Sequence, residues 1–111
     1  MMMTIRRNPH SRLLRILLIA AGPDAAIARA STEPWASITF QGARHLISLR
    51  FFGPESHRAA NAMADRLPKQ DFAIPGHIVA DVAVDERLLD HEPDGTPSAT
   101  LELSILTIED W

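Results

Sequence analysis

Cysteine is absent from the 111 residues. That excludes disulfides, cysteine-ligated zinc, iron–sulfur clusters and thiol catalysis together, and it fits a reducing, cytoplasmic compartment. Tyrosine is also absent, so a tyrosine general acid is excluded. No apolar stretch approaches the roughly 20 residues that span a bilayer, so no transmembrane segment is expected. The five glycines are scattered among turns. No phosphate-cradling glycine loop, His-Glu-x-x-His or Gly-x-Ser-x-Gly motif occurs. No cofactor and no metal site is therefore expected.

What is present is an ordinary globular composition, 46% hydrophobic and 23% charged, at a length suited to one domain with its own core. Charge is unevenly distributed. Residues 1–30 hold five Arg and one Asp, a net of +4; residues 31–111 hold six basic and thirteen acidic groups, a net of −7. An acidic body argues against nucleic-acid binding, which depends on neutralising phosphates. Residues 1–9 read as a flexible basic tail, with a single domain over 10–111. The start also has the outline of an export signal ending near Ala30, with Ala28-Arg29-Ala30 as the cut site, although Arg15 interrupts its short apolar run.

Ser11 is placed to cap a helix over Arg12–Ala21 that Gly22-Pro23 ends. The apolar run Leu13–Ala20 also fits a buried strand; helix is the preferred reading. Asp24–Ser31 reads as a second, alanine-rich helical piece. Trp35–Gln41 and 44–51 alternate as strands, and Gly42-Ala43 between them reads as a two-residue hairpin turn. That register pairs Gln41 with Arg44 and Ile38 with Ile47. It gathers Ala36, Ile38, Phe40, His45, Ile47, Leu49 and Phe51 on a core face. Pro54 opens a helix whose buried stripe is Ser56, Ala59, Ala60, Met63 and Leu67, stopped by Pro68. A third strand is expected over 77–84, an acidic loop over 85–97 with a Pro93-Asp94-Gly95 turn, and a fourth strand over 99–108 with Leu101, Leu103 and Ile105 inward.

The result is an α+β fold: a four-stranded antiparallel sheet with a ββαββ core and helices on one face. If residues 13–20 were a strand, the order would become a ferredoxin-like βαββαβ unit plus one extra strand. The outward sheet face then collects Trp35, Arg44, Leu46, Arg50, His77, Val79, Asp81 and Glu102 as interface or ligand candidates. Leu46 and Val79 are apolar on a face that solvent would make polar, which favours an interface. Trp35 lies across the hairpin from Arg50 in this register, within stacking reach. His77 and Asp81 are about 13 Å apart along the strand, too far to share one metal. His45 is read as a structural histidine near the turn.

The segments Pro34–His45 and Pro75–Asp81 resemble a small group of uncharacterised alphaproteobacterial proteins over roughly residues 34–84. The resemblance implies a bacterial cytoplasmic protein and carries no activity or site residue with it. The expected function is a non-enzymatic interaction module that self-associates, as a homodimer for example, through the outer sheet face or a free strand edge. The alternative is a small-ligand-binding protein or enzyme using Arg44, Arg50, His77 and Asp81. A third reading is association with a membrane or envelope through the basic start.

Overall fold

The first element is a helix. In a computed structural model, which describes residues 9–110, Pro9–Ala21 form helix α1. Leu13 and Leu17, one turn apart, are fully buried, and Leu14, Ile16, Ala20 and Ala21 pack beside them. Burying each such leucine contributes about 2 kcal/mol. Gly22 then takes a φ of +95° and its N–H donates to the Leu18 carbonyl at 3.1 Å, the left-handed stop that glycine adopts without strain. The helix begins at Pro9, so the expected 1–9 tail overlaps it by one residue; residues 1–8 lie outside the described residues.

Strand β1 (Ala25–Ala36) follows, then β2 (Gln41–Phe52), helix α2 (Ser56–Arg66), a 3-10 turn at Leu67–Lys69, β3 (His77–His91) and β4 (Pro97–Glu109). The sheet order is β1-β2-β4-β3 with every neighbouring pair antiparallel. This is the expected α+β fold with one four-stranded sheet. It consists of two αββ halves joined along a β2–β4 seam. Both helices cover one face. Beneath them lie Ile47, Leu49 and Phe51 from β2 and Ala99, Leu101, Leu103 and Ile105 from β4. Ala60, Met63 and Ala64 of α2 close the core, with Leu67 just after it.

The first hairpin differs from expectation. Residues 24–31 are not helical: Ala25–Ala36 pairs along its length with β2, and those ladder hydrogen bonds override the weak helical preference of alanine. The turn lies at Ser37–Phe40 rather than Gly42-Ala43. There the Ser37 N–H donates to the Phe40 carbonyl at 2.8 Å and the Phe40 N–H to Ser37 Oγ at 3.0 Å. Arg44 therefore opposes Glu33, not Gln41, and Ile47 opposes Ala30, not Ile38. Ile38 is fully exposed and Phe40 half exposed, so neither joins the core.

Gly42 has a different role from a turn residue. It sits inside β2 opposite Ile108, and a Cβ there would fall 1.9 Å from the Thr107 carbonyl oxygen. Glycine is required by the close approach of β4, not by a positive φ.

In the second half, the strand expected to stop at Val84 runs on to His91. The expected acidic loop shrinks to a turn in which Gly95, at φ +90°, donates to the Glu92 carbonyl at 2.8 Å. Register shifts after Val79 and after Val84 mark two bulges in β3, at Ala80 and Asp85.

Candidate functional site

Among the described residues no helix covers the second face of the sheet. Alternation and register assign its side chains in rungs, read from β1 to β3. Trp35, Gly42, Ile108 and Ile78 form the first rung, followed by Glu33, Arg44, Leu106 and Asp81. Ser31, Leu46, Ser104 and Ala83 come next, then Arg29, Ser48, Glu102 and Glu86. Ala26, Arg50, Thr100 and Leu88 form the fifth.

Of the expected face residues, Trp35, Arg44, Leu46, Arg50, Asp81 and Glu102 lie together here. His77 and Val79 do not. The Ala80 bulge reverses the alternation between Val79 and Asp81, so Val79 opposes buried Thr107 and packs against the core on the helix side. A bulge of this kind cannot be read from alternation alone. Trp35 and Arg50 are also separated, by four rungs. Arg50 instead lies over the Phe52 ring at 5.1 Å and pairs with Glu92 at 3.2 Å.

Charge on this face is segregated. The β1–β2 side presents Arg29, Arg44 and Arg50 against a single Glu33, whereas β3 presents Asp81, Asp85, Glu86 and Asp90 with no cation. Glu86 directly opposes Glu102 across the strands, a like-charge pair that is unfavourable in an isolated sheet. Apolar side chains lie between the charges: Leu46, Ile78 and Leu88 are each more than a third exposed. A shallow depression of about 610 Å³ lies beside Arg29, Leu46, Ser48, Asp85 and Glu102. Its carboxylates are occupied, Glu102 by the Ser48 hydroxyl and Asp85 by the Ser104 hydroxyl.

The strand edges are protected. β1 carries a bulge near Ala28 and Pro34 on its outer side, and β3 carries two bulges among acidic side chains. These devices discourage edge-to-edge pairing.

A second cluster lies on the helix side, where the sequence indicated only a structural histidine. His45 is fully buried. Its Nε2 is 2.8 Å from Thr107 Oγ1, and its Nδ1 is 2.9 Å from Nδ1 of His10 at the start of α1. The Thr107 hydroxyl points at the Ala43 carbonyl, 3.5 Å away, so it accepts from His45 Nε2–H. His45 Nδ1 is then the acceptor and His10 Nδ1–H the donor. The two rings are within 8° of parallel with centroids 5.2 Å apart. They meet head to head along a hydrogen bond; a shared metal would need each nitrogen about 2 Å from the ion, with lone pairs converging at an angle. Among the described residues no group of three or more potential ligands is arranged to hold a metal. Burial, reinforced by the charges of His10 and His77, pushes the His45 imidazole down to about 4; burial also lowers His10. The pair acts as a clasp holding the start of α1 on the sheet. His10 and His45 are 35 residues apart, so no local spacing could have announced it.

Among the described residues no helix is long and apolar enough to cross a membrane. No family model, curated protein or solved structure matches the chain.

Proposed function

We propose that this chain is a non-enzymatic self-association module, a homodimer formed face to face through the open side of its sheet. The observation that carries this reading is the segregation of charge across that face, with basic side chains on the β1–β2 half and acidic ones on β3. A closed dimer uses one self-complementary patch. Rotation about a two-fold axis parallel to the strands places β1 of one copy over β3 of the other and keeps the rungs level. Arg29 then comes over Glu86 and Glu102 of the second copy, offsetting the like-charge pair each copy holds alone.

Size supports the same reading. Four strands about 4.8 Å apart and rungs extending about 36 Å give roughly 700 Å² per copy, close to the ~800 Å² per partner of a standard stable interface. Packing two sheets this way makes a sandwich with helices on both outer surfaces. The protected edges favour the face over the edge as the contact. Cysteine absence fits a cytoplasmic setting, and cleavage after Ala30 would remove α1 with its buried Leu13 and Leu17 and half of β1.

A charge-reversal cycle tests this. Arg29→Glu weakens dimerisation about tenfold or more, and so does Glu86→Arg, while the double variant recovers most of the loss. Sedimentation equilibrium reads the three constants. Equal dimer constants for all of them would contradict the proposed pairing.

A further inference from the structure

The tip of the first hairpin has a sequence that folding does not explain. Its turn holds Ile38 and Thr39 between the hydrogen-bonded Ser37 and Phe40. The loop between the strands is Ser37–Phe40, closed by the Ser37 side chain, and its central Ile38 and Thr39 are not among the residues that dominate turns. Ile38 is fully exposed and touches no core; Phe40 is 52% exposed. A sequence that departs from local preference without a packing gain points to a role outside the fold.

The tip also stands clear of the rest of the sheet. The last β2–β4 pair is Gly42 with Ile108, so the Ala36–Gln41 rung and the turn extend past the β2–β4 ladder. From Pro34 to Ala43, ten residues carry no charge. On β1 and β2 charges resume one step below, at Glu33 and Arg44, which face each other, with Asp81 of β3 on the same rung and Glu109 at the end of β4. From the end inward, the order is apolar Ile38 and Phe40, then half-buried Trp35, then a charged rung. That profile matches a bilayer surface, with acyl chains met by apolar side chains, the interface by tryptophan and the headgroups by charge.

We propose that the Trp35–Phe40 hairpin tip inserts shallowly and reversibly into a lipid surface. The attraction is apolar, because the tip has no net charge, so neutral and anionic headgroups serve equally. The inference rests on the tip alone. In the face-to-face dimer both tips point the same way, which would add avidity.

The test uses the full chain carrying Trp111→Phe, so that Trp35 is the only indole, with vesicles of phosphatidylcholine alone or mixed with phosphatidylglycerol. Expected results are co-sedimentation with both compositions, little effect of salt, and a blue shift of Trp35 emission. Ile38→Asp combined with Phe40→Asp lowers partitioning about tenfold or more, with an unchanged far-ultraviolet circular dichroism spectrum and an unchanged dimer constant. Protein that stays in the supernatant with both compositions would overturn the proposal. So would equal binding by the double aspartate variant, or binding that requires phosphatidylglycerol and is lost in salt.

Discussion

The two αββ halves share a topology and differ in chemistry. In the first, the helix is tied to the sheet by a contact that reaches a fully buried titratable group, His10 to His45. In the second, most of the ties are exposed: His57 Nε2 reaches the Asp90 and Ser98 carbonyls at 2.9 and 3.0 Å, and Arg87 reaches Asn61 at 3.0 Å and Asp65 at 3.5 Å. The first half presents arginines on the open face and the second presents carboxylates. The common topology is enough to bury one core, and the chemical difference is the ground on which the open face is proposed to be self-complementary.

The seam between the halves is where a single change should do most damage. Gly42→Ala places a methyl 1.9 Å from the Thr107 carbonyl oxygen. Only backbone movement in β2 or β4 relieves that contact, so a loss of about 3 kcal/mol or more is expected, measured by urea denaturation. Gly22→Ala meets no atom within 4 Å but sits at φ +95°, and should lose only about 1 kcal/mol.

Acid should separate the halves by their ties. His45 titrates near 4 in the folded chain against about 6.5 when unfolded. Its lowered value means the unfolded chain binds the extra proton first. Stability is fully present above about pH 6.5 and is lost as pH falls toward 4, by roughly 3 kcal/mol at this site. His45→Gln removes that slope at some cost in neutral stability, and denaturation at pH 7 and pH 4.5 measures both. By contrast, Arg87→Ala in the second half should cost only about 0.5–1 kcal/mol, detectable as a small fall in Tm at neutral pH.

How much of this was legible in sequence follows the same division by local signals. Helix α2 and strand β4 were readable because their apolar spacing is local and unbroken; Met63, Leu101, Leu103 and Ile105 all lie where expected. Helix α1 was readable as one of two choices. The β1–β2 register was not, because alternation continues through Ile38 and Phe40 after the strand has ended, and because a glycine needed for close approach looks the same in sequence as a glycine needed for a turn. The β3 bulges hid the true faces of His77 and Val79. Six of the eight expected face residues survive because the open face is set by the sheet's alternation and not by the position of one turn.

The central claim is that the open face is covered by a second copy. The mass of the full chain by sedimentation at micromolar concentration and moderate salt tests it most directly. A species of twice 12.3 kDa, shifting toward monomer in the Arg29→Glu variant, is the predicted result. A monomer that persists as concentration is raised would contradict it.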